Sequence, residues 1–345
     1  MRMLSLLSKK EWEARHREPR QDHVDYEDVI SDILDGFEIV ATNLSNQELM
    51  AKASKGDIMT AARSRAFDAN DALVFSYSGG HTIEELASFL PTVLEYWEAY
   101  ASLHVEFHES EESGGHKVPH LDLYDSDYWK ALQLVCFAIL LGHTGLLGRI
   151  MDLLVYENDD QDALLEALVA PYLPGRPEAT IYTRQLPYRK TRKIFAAKPA
   201  ARPALMAQYL DEWYDASRRE PYHDRHKSSI FPGYWSLEAA AMTFILDIDD
   251  SSYRDKPFYP ADLVDYARQH SQRSSADETT DSGETGKRRP NVPAGEPCPE
   301  TGWWFTPAQP NSRRYFKQGE TMPDVGGDYG ATFWQWSSDQ SAPSL

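Results

Sequence analysis

The chain has 345 residues, 41% hydrophobic and 26% charged, the composition of an ordinary globular protein long enough for one or two domains. Its longest apolar run, Leu132 to Leu141, contains Gln133 and is too short to cross a bilayer; no secretory signal is legible after Met1 to Leu7, so the expected compartment is the cytoplasm, with no membrane contact. Of the net charge of −19, residues 1–180 carry −18 (14 Lys and Arg against 32 Asp and Glu), a field that repels nucleic acid and attracts basic partners. Direct binding of DNA or RNA is therefore disfavoured, whereas a protein that itself binds nucleic acid fits as a ligand.

The first strong element is an amphipathic helix over Asp22 to Leu44. Tyr26, Val29, Ile30, Ile33, Leu34, Phe37, Val40 and Leu44 form one apolar stripe at spacings of three and four. Asp25, Asp28, Asp32 and Asp35, joined by Glu38, form an acidic ridge on another face. A solvated helix usually mixes signs to gain i,i+4 pairs, and this one has no interleaved Lys or Arg. Asn46 to Asn70 reads as a second helix capped by Ser45 or Asn46. Gly79 and Gly80 break the chain before a third, Thr82 to His108, with Thr82 and Glu85 at capping-box spacing. Its aromatics Phe89, Tyr96, Trp97, Tyr100 and Phe107 are expected to fill an interface between two halves, and Pro91 either kinks it or marks a new start.

After a loop over Glu109 to Pro119, three more helices are expected at Asp125 to Leu141, Leu146 to Tyr156 and Asp162 to Ala170. Glu157, Asp159 and Asp160, with Asp162 just beyond, make a second acidic patch between the last two. Pro171, Pro174 and Pro177 form a hinge. The basic stretch Thr183 to Lys198 is either a solvated loop or an internal counterion for the acidic half. Pro203 to Arg219 is helical.

Gly233 to Arg268 reads as helix, polar turn, helix. Trp235, Ala239, Ala240, Met242, Phe244, Ile245 and Leu246 are apolar over most of the circumference, which marks a buried, central helix. Asp247, Asp249, Asp250, Ser251 and Ser252 stop it, because their side chains compete for backbone donors. Pro260 and Asp262 suit the first turn of the next helix. Arg254 is expected as a buried fork on Asp249 or Asp250.

The run YWSLEAAAMTFILDIDDSSYRDKPFYPADLVDYAR, 35 residues, resembles the signature of the PoNi family, immunity proteins that neutralise polymorphic nuclease toxins delivered between bacteria, often by type VI secretion. The helices from about Tyr128 onward fit that family's C-terminal region, and the first 110 or so residues fit its helical N-terminal region more loosely. Trp235, Asp249, Asp250 and Arg254 are structural members of the signature, and the resemblance marks no toxin-contacting residue.

Beyond the signature, residues 271–297 are polar and expected to be a flexible linker. The tail, 298–345, gathers Trp303, Trp304, Phe305, Tyr315, Phe316, Tyr329, Phe333, Trp334 and Trp336 among glycines and prolines, which predicts short strands and turns packed on the helical body. Its pattern CPETGWWFTP…SRRYFKQGETMPDVGGDYGATFWQW resembles a C-terminal segment of several type VI immunity families.

Chemical motifs are sparse. His104 and His108 lie i,i+4, but HVEFH differs from the metalloprotease helix HExxH in the position of its glutamate, and a zinc site needs a third ligand. His223 and His226 sit in a hydrophilic stretch and read as surface residues. Asp247, Asp249 and Asp250 spell the DxDD of class II terpene cyclases, which are much larger enzymes. No nucleophile elbow, Walker A loop or dinucleotide fingerprint occurs. Cys136 and Cys298 suggest no disulfide. No catalytic residue, metal or cofactor is assigned.

The expectation is a mainly α protein: a helical N-terminal region (1–120) on a helical C-terminal region (121–270), then the linker and the aromatic, strand-containing tail. As the resemblance implies, it binds and blocks a nuclease toxin with a basic cleft. Charge placement nominates Asp25, Asp28, Asp32, Asp35, Glu38, Glu157, Asp159, Asp160 and Asp162 as contacts; a homodimer is left open. The alternatives are a metal-dependent hydrolase that reverses a toxin's modification, and an effector adaptor or scaffold.

Overall fold

The computed structural model describes residues 4–125, 127–159, 161–176, 179–227, 230–280, 292–306, 312–325 and 332–336; of 272–280, 333 and 336 only the backbone is described. In the first half, polar caps set the helix starts. Ser8 and Glu11 cap one another at α1 (Lys9–Arg15), and Asp22 accepts the Val24 N–H at 2.7 Å to begin α2 (His23–Ser45). The single helix expected over Asn46 to Asn70 is two. Asn46 caps only a short turn, α3 (Gln47–Met50), and a capping box of Ser54 and Asp57 starts α4 (Lys55–Gly79). Gly80 ends α4 at φ +95°, where a Cβ would lie 2.6 Å from the Arg15 carbonyl oxygen, so only glycine fits. The Thr82–Glu85 box begins α5 (Ile83–His108), which continues through Pro91; no second helix starts there.

α6 (Asp127–Leu140) is buried at every position but Trp129 and packs on α4, α7 (Leu147–Val155) and α8 (Ala163–Val169). After α9 (Thr191–Ala196) and α10 (Arg202–Ala216) comes α11 (Leu237–Ile245), buried from Leu237 to Thr243 and laid against α6. The centre is thus shared by α6 and the signature helix α11. α12 (Ala261–Thr280) follows the acidic turn.

The aromatics of α5 pack chiefly inside the first half. Tyr96 meets Phe37 of α2 at 5.4 Å and Trp97 meets Phe67 of α4 at 5.0 Å, because α5 pairs along its length with α4. Polar ties also join the two halves. Arg17 Nε donates to Asp262 at 2.6 Å, Trp235 Nε1 donates to Ser78 Oγ at 2.8 Å, and Asn70 Nδ2 donates to Gln133 Oε1 at 2.7 Å. One core runs from Leu4 to Ala267 within a compact unit, Met1–Ser274. Among the described residues, the ion pairs of the basic stretch over 183–198 are with carboxylates of the second half, Arg184 on Glu220 and Lys190 on Glu212.

The second unit, Ser275–Leu345, holds a four-stranded antiparallel sheet ordered β1 (Val292–Pro293), β4 (Phe333–Trp336), β2 (Gly302–Phe305), β3 (Arg314–Phe316). Trp304, Phe316 and Trp334 fill its small core with Val292, Cys298 and Met322. Described residues at both ends of the stretch read as a linker carry regular hydrogen bonding. α12 continues to Thr280, since polar composition forbids a core but not a helix, and Ala294 N and Gly295 N donate to Thr332 O and Met322 O at 2.8 Å. Residues 281–291, and Tyr329 of the aromatic set, lie outside the described residues.

Candidate protein-binding surfaces

The apolar stripe of α2 buries Tyr26, Ile30, Ile33 and Phe37, which turns the opposite face outward. Asp28, Asp32, Asp35 and Glu38 are exposed, and none forms an ion pair among the described residues. Asp25 is half-buried; burial raises its carboxyl above the usual range, with Asp22 and Asp28 adding to the effect. Val24 and Ile39, 60% and 57% exposed, fall on the same face at steps of four, four, three and four through Asp28, Asp32 and Asp35. Sequence reasoning missed these two, although both stand off the apolar stripe.

The second acidic patch divides. Glu157 and Asp159 are exposed, and Asp160 lies outside the described residues. Asp162 is 1% exposed and is not a surface contact. It is the N-cap of α8: its carboxylate accepts the N–H groups of Leu164, Leu165 and Thr183 at 2.9–3.1 Å, the Thr183 hydroxyl at 2.9 Å and the Tyr128 hydroxyl at 3.2 Å. Burial raises its pKa while these donors lower it. An acid that starts a helix is indistinguishable in sequence from one that faces a partner. Glu157 holds φ +54°, and Asn158 pins the loop by donating to Leu121 O at 2.9 Å and Leu154 O at 2.6 Å.

Within the signature, Asp250 is the hub. Its carboxylate takes Arg254 Nη1 at 3.1 Å, Arg268 Nη1 at 2.8 Å and Tyr259 Oη at 3.1 Å. Arg254 pairs with Asp250 and Asp265, not with Asp249, and is about one-third exposed rather than buried; Asp249 is exposed and accepts the Ser251 N–H at 3.0 Å. Trp235 is half-buried edge-on to Tyr77 at 4.9 Å. Glu238, which the apolar reading of α11 passed over, is buried, and its Oε1 accepts from Tyr209 Oη, Trp213 Nε1 and Ser236 Oγ at 2.7 Å. Burial pushes its pKa up.

His104 and His108 are not a polar helix end but part of a buried cluster with His120. His104 bonds His108 through Nε2 at 3.0 Å and His120 through Nδ1 at 2.8 Å, and His120 stacks on Tyr156 at 4.0 Å. Burial depresses His104 to about 3 and His120 to about 4, with neighbouring histidines adding to both. The nitrogens pair off rather than converge, and among the described residues no group of three or more His, Cys, Asp or Glu could hold a metal. His223 stacks on Tyr214 at 4.3 Å and His226 bonds Tyr234 Oη at 2.7 Å, so both are tied into the surface by aromatics.

Residues 160–263, from the loop before α8 to the first turn of α12, match the family model described as PoNe immunity proteins (PoNi), C-terminal. No curated protein matches the chain significantly. The crystal structure of protein PA2201 from Pseudomonas aeruginosa is similar, with a TM-score of 0.61 at 22% identity over 78% of this chain and 100% of that one. At that identity the likeness is one of fold.

Proposed function

We propose, from the match of residues 160–263 to the C-terminal model of the PoNi immunity proteins, that the chain is a non-enzymatic immunity protein that binds and blocks a polymorphic nuclease toxin in the cytoplasm. The family match is the observation that carries this reading. The family-matched region supplies a fixed base, since Asp250, Glu238 and Asp162 each have their donors supplied from within the fold. The acidic surfaces supply the chemistry. A nuclease holds its polyanionic substrate in a basic cleft, and the carboxylates of Asp28, Asp32, Asp35 and Glu38, with Asp25 at the base of the ridge, stand in for phosphates there. Glu157 and Asp159 form a second point of attachment. Delivery of the toxin by type VI secretion completes the proposal.

Co-expression tests it. A candidate PoNe nuclease toxin is produced in a bacterial host with and without the protein, and survivors are counted. Survival restored by the full chain supports immunity; equal killing in both arms removes it.

A further inference from the structure

Between α8 and α9 lies a cavity of about 620 Å³, apart from the acidic surfaces. Local structure makes it. After α8 the chain turns, with Tyr172 N and Leu173 N donating to Val169 O at 2.9 and 3.0 Å, and it returns to the start of the helix, where Ala163 N donates to Ile181 O at 2.7 Å. Arg176 clamps this excursion to α8. Its Nε and Nη2 donate to the two carboxylate oxygens of Glu166, both at 2.6 Å, and Glu166 is only 6% exposed. Leu173 and Phe195 give the cavity an apolar wall, and Glu166, Arg176, Tyr182 and Arg192 give it a polar one.

We propose that this cavity binds a small organic monoanion, a carboxylate carried on an apolar body. Its volume falls within the about 300–1,000 Å³ of small-molecule sites, which combine apolar walls with a few placed polar groups. Charge selects the ligand. Arg176 is neutralised by Glu166, and Asp152 also lies within its electrostatic range. Arg192 is exposed, forms no ion pair among the described residues, and stands within electrostatic range of Tyr182. Among the lining residues two guanidiniums thus face one carboxylate, and a single negative charge completes the set. A planar carboxylate accepts two parallel bonds from a guanidinium fork. Arg176 Nη1, which has no acceptor among the described residues, offers further donors. A phosphate ester, at about −1.5 to −2, brings more charge than the set balances. The site is independent of the immunity reading and of where the toxin binds.

Full-length protein is titrated calorimetrically with octanoate, octan-1-ol and octyl phosphate. Two variants are compared with wild type. Arg192→Gln removes the unpaired charge at an exposed position, and Ala167→Phe adds a ring at a residue that lines the cavity. The proposal expects saturable, one-to-one binding of octanoate, with Kd raised about tenfold or more by either substitution and by exchange of the carboxylate for the alcohol. Unliganded Arg192→Gln is expected to share the wild-type thermal midpoint, which separates lost binding from lost folding. Octan-1-ol bound as tightly as octanoate overturns the anion assignment, and octyl phosphate bound more tightly overturns the monoanion. Absence of saturable octanoate binding, or wild-type Kd in both variants, overturns the site.

Discussion

Asp250 and Asp249 are adjacent acids in one turn with opposite roles, and substitution separates them. Asp250→Ala leaves Arg254 and Arg268 without their shared carboxylate. Breaking a buried pair costs about 3–5 kcal/mol; because both arginines keep about a third of their side-chain surface in water, we expect about 2–3 kcal/mol, read from the urea midpoint. Asp249→Ala removes one exposed turn contact and is expected to stay within about 0.5 kcal/mol. The histidine cluster gives a pH dependence. His104 and His120 titrate below the ordinary 6.5, so between about 6.5 and 3–4 the unfolded chain binds more protons. Their contribution is fully present above pH 6.5 and is lost as pH falls. The groups facing them are His108, Arg63, Tyr100 and Tyr156. His120→Phe keeps a ring against Tyr156 and is expected to flatten the stability profile by about one proton over that range. A parallel profile in wild type and variant contradicts the assignment.

At the scale of elements, α2 trades its own stability for a single-sign face. Asp32→Lys creates i,i+4 and i,i+3 pairs with Asp28 and Asp35, so the free protein is expected to gain about 0.2–0.5 kcal/mol per pair while toxin affinity falls. A simultaneous loss of stability and affinity would instead mean a structural role for Asp32. The start of this helix was legible in the sequence because period and cap agree: the stripe points inward and Asp22 caps it. Where two caps compete, local reading fails, as at Asn46 and Ser54, since the choice depends on what α4 packs against. Acids fail for the same reason. Asp162 and Glu238 carry the same charge as Asp159, and only the tertiary arrangement decides that they face Thr183 and Tyr209 rather than water. The histidine cluster needed His120, sixteen residues from His104 and beyond a loop, so the helical spacing of His104 and His108 could not reveal it.

For the molecule as a whole, the −18 carried by residues 1–180 sets how a basic partner approaches. Steering by such a field accelerates encounter at low salt and fades as the Debye length shrinks to about 8 Å at physiological ionic strength. The association rate with the toxin is therefore expected to fall steeply with added salt, while the dissociation rate changes less. The most direct test is titration of the full chain into a DNA-degradation assay of a purified candidate PoNe nuclease. Nuclease activity is expected to be lost completely near one protein per toxin, with the loss shifting to higher protein concentration as salt is raised. Undiminished cleavage at a saturating excess of the chain, at any salt, would contradict it.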